Sequence, residues 1–393
     1  MKKVFIIDTI RTAVGKRNGV FSRTRPDDLL VHCLRALVQR NNSVDWERVG
    51  DHIAGCAMPE AEQGLNVARS AVLLAGLPQA ISGMTVNRFC ASGLQAVSLA
   101  ADKIMLGNED LMIASGVESM SQVPMGGNKP SFNQKVFTNQ DAVGIAWGMG
   151  STAEEVSVRF SVTRQEQDAF AFESHRRAIN AQEKGYFTDE IIPFTVERHS
   201  VVDNKLQTNT QQVLKDEGPR ADSTLEALAK LKPVFAGQGS VTAGNSSQMS
   251  DGAGAVLLAS EEAVKAYQLT PKAIFHGYTV AGLDPKIMGV GPIKAIPKLL
   301  DQVKISLDAI DWIELNEAFA AQSLAVIKEL KLDQAKVNPQ GGAIALGHPL
   351  GATGAIRTAT IVSALRRNKL RFGIVSMCIG TGMGAAGLFE SCS

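Results

Sequence analysis

The two ends of this chain repeat one another, and an internal duplication restricts the possible folds more than any single motif. Ser43-Val44-Asp45-Trp46 through Ile53 in the first part resembles Leu307 through Trp312-Ile313-Glu314 in the last. Each is followed by a Val-Asn pair (Val86-Asn87, Val337-Asn338), a glycine-rich element, an amphipathic stretch and an apolar run. Ala273–Pro285 echoes the opening segment Val4–Ala13 more loosely. One α/β unit built twice is therefore expected. With 393 residues, 45% of them hydrophobic, the chain can bury a large core across two or three domains.

Short apolar runs alternate with helical patterns, the signature of α/β layers. Strands are expected at Val4–Ile7, Ile53–Ala57, Leu111–Val117, Ala255–Leu258, Ile313–Leu315 and Phe372–Met377. Helices are expected at Asp28–Arg40, Ser92–Leu106, Ala318–Leu330 and Gly354–Arg367. Leu94, Val97, Ala101, Ile104 and Met105 fall at helical spacing, and Gly107 ends that run. Residues 121–240 break the pattern, with clear helical stretches only at Arg164–Lys184 and Ser223–Leu231. A long excursion of this kind is usually functional. The expected organisation is a first unit over 1–120 and 241–268, an inserted loop and binding domain over 121–240, and a second unit over 269–393.

Forty Lys and Arg against 39 Asp and Glu leave no field for a polyanion, so nucleic acid is not an expected partner. The five cysteines are far apart and contain no CxxC pair, which fits reduced thiols in the cytoplasm. Asp8 and Arg11 stop the apolar run Val4–Ile7 before it could serve as a signal peptide. No run reaches the roughly 18 apolar residues of a membrane span.

Three segments carry chemistry. Asn87-Arg88-Phe89-Cys90-Ala91-Ser92-Gly93 puts a cysteine between a strand and a helix start, where backbone N–H groups and the helix dipole favour a thiolate. A buried structural cysteine would look the same on position alone. Gly341–Pro349 sets His348 in a glycine-rich loop ahead of a helix, at the point of the second unit that matches Cys90. Ser376–Gly384 ends a strand with Cys378 and then a flexible glycine loop, suited to offering N–H donors to an oxyanion. It is no dinucleotide fingerprint, because too little chain follows for a βαβ unit. Zinc is not expected on Cys90, His348 and Cys378, since the paired spacings of zinc sites are missing. Asn316-Glu317 could simply open a helix with an acidic first turn.

Asn87–Gly93, Asn316-Glu317-Ala318-Phe319-Ala320, Gly341–Gly354 and Cys378–Gly384 together resemble the four active-site segments of the thiolase family, in order and with family spacing. Gly116-Val117-Glu118-Ser119-Met120 and Gly244-Asn245-Ser246-Ser247 extend the resemblance over essentially the whole chain. It implies a duplicated, five-layered α-β-α-β-α fold with an inserted loop domain. The implied activity is an acetyl-CoA C-acyltransferase that cleaves 3-ketoacyl-CoA through an acyl-thioester on Cys90. Acetoacetyl-CoA thiolase chemistry in the condensation direction is the alternative.

By that resemblance His348 is the base for Cys90, and Cys378 is the acid that protonates the acetyl-CoA enolate. Asn316 holds a water that, with His348, binds the enolate oxygen, while the N–H groups of Cys90 and Gly380 bind the acyl oxygen. Arg220 and Ser247 match coenzyme A contacts, and Met149, Phe235 and Phe319 line the tunnel. Coenzyme A and acyl-CoA are substrates, no cofactor is permanently bound, and a homodimer or homotetramer is expected. Short-chain biosynthetic relatives carry His-Met-Gly where this chain reads Gly148-Met149-Gly150, so it is similar to the degradative branch. A ketoacyl synthase would pair its cysteine with two histidines, or with a histidine and an asparagine, not with a second cysteine. A silent acyl-CoA carrier would have lost Cys90, His348 or Cys378.

Overall fold

Aliphatic runs become strands wherever two faces can be covered, and in this chain most are covered on both. A computed structural model describes residues 2–202 and 205–392. The strands are β1 (Val4–Arg11), β2 (Gly15–Lys16), β3 (Asp51–Gly55), β4 (Ser82–Val86), β5 (Leu111–Ser119), β6 (Phe194–Val202), β7 (Lys205–Val213), β8 (Ser250–Ala259), β9 (Ala273–Gly282), β10 (Trp312–Leu315), β11 (Phe372–Ile379) and β12 (Met383–Ser391). Every residue of β5, β8 and β11 is buried, as continuous apolar runs require. The main helices are α1 (Pro26–Arg40), α2 (Val67–Ala75), α3 (Ser92–Met105), α4 (Met149–Arg159), α5 (Arg164–Glu183), α6 (Pro292–Val303), α7 (Ala320–Leu330) and α8 (Thr353–Asn368).

The sheet records the duplication. In the order β1-β8-β5-β3-β4, two antiparallel pairs are followed by two parallel pairs. In β9-β12-β11-β10 the same sequence of pairings repeats, and a parallel bridge from Ile313 to Val337 stands where β4 would be. That bridge explains the echo of Val86-Asn87 in Val337-Asn338. The two halves meet where β1 pairs with β9, through Val4–Phe275, Phe5–Ile274 and Ile6–Ala273, so ten strands form one continuous sheet.

Three apolar cores define the layers. One packs α1 and α2 on the outer face of the first half-sheet, through Leu30, Leu34, Leu37 and Val72. Another packs α6 and α7 on the outer face of the second, through Ile296, Leu299, Val326 and Ile327. Between the half-sheets lies a core that takes Leu94, Val97 and Ile104 from α3, Ile361 and Leu365 from α8, Met112 and Val256 from the first half, and Val375 and Met377 from the second. Helix, sheet, helix, sheet, helix is the resulting order.

The chain leaves this frame after β5 and returns at β8, with α4, α5 and the ribbon β6–β7 in between. A capping box opens α5, with Thr163 and Glu166 satisfying each other's backbone N–H groups. The excursion is tied back to β1 by Arg11. Its fully buried guanidinium reaches Glu190 at 2.7 Å and both oxygens of Asp216, at 2.6 and 3.0 Å. Removing one partner would strand a buried charge, so these contacts fix the geometry whatever their net stabilisation.

Candidate active site

The layered frame brings the starts of α3 and α8 together. They meet backbone to backbone at two glycines. A Cβ on Gly354 would lie 2.0 Å from the Leu94 nitrogen, and one on Gly93 would lie 2.7 Å from the Ala355 nitrogen. Any side chain at either position would push the helices apart, and with them the residues that precede each helix.

Cys90 precedes α3. The chain leaves β4 at Val86 and turns sharply, with Phe89 at φ 45°, a region that a bulky aromatic rarely occupies. Local hydrogen bonds hold the turn. Asn87 Oδ1 accepts the Phe89 N–H at 2.8 Å, and Ser92 Oγ accepts the Arg88 N–H at 2.8 Å while donating to the Phe89 carbonyl at 2.6 Å. Cys90 is buried against Ala57, Met120 and Leu350. The expectation that this helix start lowers the thiol is corrected. Burial pushes Cys90 up to about 11, although the N–H groups of Gly380 and of Cys90 itself pull the other way.

His348 lies just ahead of α8, on the loop that packs Leu350 against Cys90. Gly347 takes φ 93°, and a Cβ there would strike Ser250 Oγ at 2.5 Å. The His348 N–H donates to the Gln248 carbonyl at 3.2 Å and to Ser250 Oγ at 3.1 Å. The ring has a partner at each nitrogen: Asn316 Nδ2 is 3.3 Å from Nε2, and Thr353 Oγ1 is 2.6 Å from Nδ1. An amide nitrogen only donates, so Nε2 keeps its lone pair and Nδ1 carries the proton, given to Thr353. Burial first, and the Arg357 charge second, lower His348 to about 3, so the ring is neutral.

Cys378 lies near the end of β11, fully buried, and joins Met149, Ala153, Val241, Met288, Ala318 and Phe319 in one apolar cluster. Burial raises its thiol, and the charge of Cys90 beside it raises it further. The expected flexible loop after it is a tight turn instead, because β12 begins at Met383. Gly380, Thr381 at φ 70° and Gly382 at φ 89° make that turn. Above Gly380 stand Met149 Sδ and the Phe89 ring, 3.7 and 3.9 Å from where a Cβ would be.

Asn316 follows β10, and its N–H donates to the Ser376 carbonyl at 2.9 Å. Its buried Oδ1 has no protein partner, which is the situation of a group that holds an ordered water. The reading of Asn316-Glu317 as an acidic first helical turn is corrected, since α7 starts only at Ala320. Glu317 is buried, accepting from Ser174 Oγ at 2.6 Å, Asn338 Nδ2 at 2.8 Å and the Ile344 N–H at 3.2 Å.

The residues expected to contact coenzyme A are linked in part by backbone and ring contacts. The Ser247 N–H donates to the Ala318 carbonyl at 2.9 Å, and Ser246 bridges Phe319. The Phe235 ring, 45% exposed, meets Phe319 edge-on at 6.2 Å. Gln248 also donates to the Gly218 carbonyl at 3.1 Å, which anchors the segment leading to Arg220. Arg220 is exposed, and its N–H donates to His175 Nδ1 at 3.2 Å. Burial lowers His175 to about 4, leaving the ring neutral and able to accept. Sequence reasoning missed Thr353, Gln248, Met288 and His175. Only Thr353, five residues past His348, carried a hint in its spacing.

Nucleophile-type cysteine, neutral imidazole, second thiol and unpartnered amide oxygen define a site for acyl transfer at a thioester. Comparisons with known proteins agree. The model of the thiolase N-terminal domain matches residues 4–262, and that of the thiolase C-terminal domain matches residues 269–391. The 3-ketoacyl-CoA thiolase of Bacillus subtilis is 46% identical over 394 residues, covering 100% of both chains. The beta-ketoadipyl-CoA thiolase of Pseudomonas aeruginosa is 46% identical over 402 residues, covering 98% of each. Human mitochondrial 3-ketoacyl-CoA thiolase superimposes with a TM-score of 0.89 at 37% identity, over 99% of both chains. Bacillus anthracis acetyl-CoA acetyltransferase gives 0.88 at 41%, over 100% of this chain and 99% of that one. The chain belongs to the thiolase family and is an acyl-CoA acyltransferase of that type. Among the described residues, no helix is long and apolar enough to cross a membrane.

Proposed function

We propose that this protein cleaves 3-ketoacyl-CoA with coenzyme A, giving acetyl-CoA and a shortened acyl-CoA, through a thioester on Cys90. The observation that supports the reading is the packing of the Cys90 turn against Leu350 of the His348 loop on one side and against Gly380, just past Cys378, on the other. His348 Nε2 takes the proton of Cys90 as its sulfur attacks the C3 carbonyl. The C2–C3 bond breaks, the acyl group stays on sulfur, and the bond pair forms the acetyl-CoA enolate. Cys378 gives its proton to C2. The proton held on His348 then restores the Cys378 thiol. A second coenzyme A attacks the thioester, its thiol proton passing to the freed His348 and on to the Cys90 sulfur as the shortened acyl-CoA leaves. The acyl oxygen is held by the N–H groups of Cys90 and Gly380, and the enolate oxygen by His348 and a water on Asn316. A thiol raised by burial and a neutral imidazole form no resting ion pair, so the proton moves as the substrate is attacked.

Arg220 and Ser247 would take the nucleotide and pantetheine ends of coenzyme A, with Met149, Phe235 and Phe319 along the tunnel. No permanently bound cofactor is needed. The wall beside Cys378 is built of methionine, alanine, valine and phenylalanine, which favours an uncharged acyl chain over the carboxylate-ended chain that a beta-ketoadipyl-CoA thiolase is named for. Burying a carboxylate there without a cation would be costly. The open edge of β4, with Met84, Leu73 and Leu74 exposed around it, supports a homo-oligomer. Mass spectrometry after incubation with acetyl-CoA tests the reading: the adduct is expected on Cys90 alone. An adduct only on Cys378, or none in active enzyme, refutes it.

A further inference from the structure

One buried carboxylate beside the site has no part in this scheme. Glu118 lies in β5 with no exposed surface. Its Oε2 accepts the N–H groups of Ala57 and Gly351, both at 2.8 Å. Its Oε1 accepts the Met58 N–H at 3.2 Å and the side-chain amide of Gln63. These four partners are N–H donors, and the Cys56 thiol lies 3.9 Å from Oε1 as a fifth. A protonated carboxyl would need an acceptor for its own proton; none of the four N–H groups can serve and a thiol is at best a weak one, so the partners are arranged for the anion. Burial raises the carboxyl above its ordinary value, and the N–H groups of Ala57 and Gly351 pull it back toward the charged form.

The donors come from two loops that matter to the chemistry. Ala57 and Met58 follow β3, and Ala57 packs on Cys90. Gly351 lies three residues beyond His348, and Leu350 between them packs on Cys90 as well. The loops touch so closely that a Cβ on Gly351 would sit 2.6 Å from the Ala57 nitrogen and 2.8 Å from Glu118 Oε2. These backbone N–H groups share one acceptor, which sets the spacing of the nucleophile's wall from the base's loop.

We propose that Glu118 is a positioning residue for the acyl-transfer reaction, its carboxylate fixing the His348 loop against the loop that walls Cys90. This rests on the roles assigned above to Cys90 and His348. The charge also leaves a signature at the nucleophile, since it disfavours the Cys90 thiolate.

Glu118→Gln tests it. The substitution keeps the shape but turns one acceptor into a donor that faces N–H groups. For the 3-ketoacyl-CoA cleavage, kcat should fall at least about tenfold, the scale of leaving buried donors unmatched, with KM for coenzyme A within about twofold. The pH midpoint for alkylation of Cys90 by iodoacetamide should move down, because a negative charge has gone. A strut needed only for folding would lower the melting temperature and leave that midpoint in place, which would overturn the proposal. So would kcat within about twofold of the wild type. If Glu118→Gln does not fold, Gln63→Met removes one donor and keeps the charge. It should lower kcat about threefold or more with the alkylation midpoint at or above that of the wild type, and an unchanged kcat would overturn the proposal. Alkylation is read without turnover, so a wild type that is alkylated at Cys90 but never acylated there would count against the parent reading and not against Glu118.

Discussion

His348 Nδ1 and the Thr353 hydroxyl lie 2.6 Å apart, joining the residue ahead of α8 to the first residue of that helix. Because Asn316 Nδ2 donates to Nε2, the outer nitrogen is committed as a donor to Thr353, and the inner one keeps the lone pair that can take a proton. Asn316 and Thr353 together fix the tautomer and the orientation of the base.

Thr353→Val keeps the shape and removes the acceptor. An unmatched Nδ1–H in a buried site costs on the order of 1–3 kcal/mol, so the other tautomer, with Nε2 protonated, becomes competitive. We expect kcat to fall about tenfold, with KM for coenzyme A little changed, in steady-state assays of 3-ketoacyl-CoA cleavage. Unaltered kcat would mean that Asn316 alone sets the tautomer.

Cys378→Ala should separate the two half-reactions. Exchange of an acyl group between Cys90 and coenzyme A should persist, while carbon–carbon cleavage and α-proton exchange fall by roughly 10²–10⁴, the usual scale of a general acid or base. Deuterium exchange into acetyl-CoA and radiolabel exchange into coenzyme A measure the two separately. An equal loss in both would make Cys378 a packing residue.

Gly148→His should narrow the acyl-length profile. A Cβ at Gly148 meets no atom within 4 Å, so the space beside Met149 is open. The wild type is expected to cleave eight-carbon 3-ketoacyl-CoA at least as well as four-carbon, each buried CH₂ being worth up to about 0.8 kcal/mol. Comparing kcat/KM at four, eight and twelve carbons in both proteins decides it. A sharp four-carbon preference in the wild type would end the argument.

Acid should find the α5 cap. Contact with Lys328, then the Thr163 backbone, lowers Glu166 to about 2. A depressed carboxylate stabilises the fold above its unfolded value near 4.5 and loses that contribution as pH falls through about 2. Glu166→Ala should therefore melt earlier than the wild type at pH 7, by the roughly 1 kcal/mol of a lost cap, and the difference should close toward pH 2. A gap that stays constant between pH 7 and 2.5 would show that charge plays no part.

Much of the fold was legible because its strands are uniformly apolar. Leu111–Val117 and Phe372–Met377 fall inside β5 and β11. β4 was missed because it is an edge strand, with a weak apolar signal in Ser82-Gly83-Met84-Thr85-Val86. β12 was missed because its glycines and alanines fit between close neighbours where larger side chains would not; a Cβ on Gly384 would lie 2.1 Å from the Gly291 carbonyl carbon. Cys90 and His348 stood out through flanking glycines, which reflect the close approach of two backbones. Glu118 and Thr353 did not, because their partners are set by loops that only the folded chain brings together. The raised Cys90 thiol was hidden for the same reason: a helix start can be read locally, but burial cannot.

The place of β8 bears on how the protein can be made. It lies between β1 and β5, pairing with both, yet it begins only at Ser250. A nascent chain therefore carries β1 and β5 for more than a hundred residues with their inner edges unpaired. At translation rates of about 5–20 residues per second, that gap lasts several seconds, longer than hairpins and helices need to form. Exposed apolar edges are templates for joining other chains, so synthesis of this protein should depend on a holding chaperone over that interval. Chains truncated before residue 250 should aggregate even though they contain Cys90 and its helix intact.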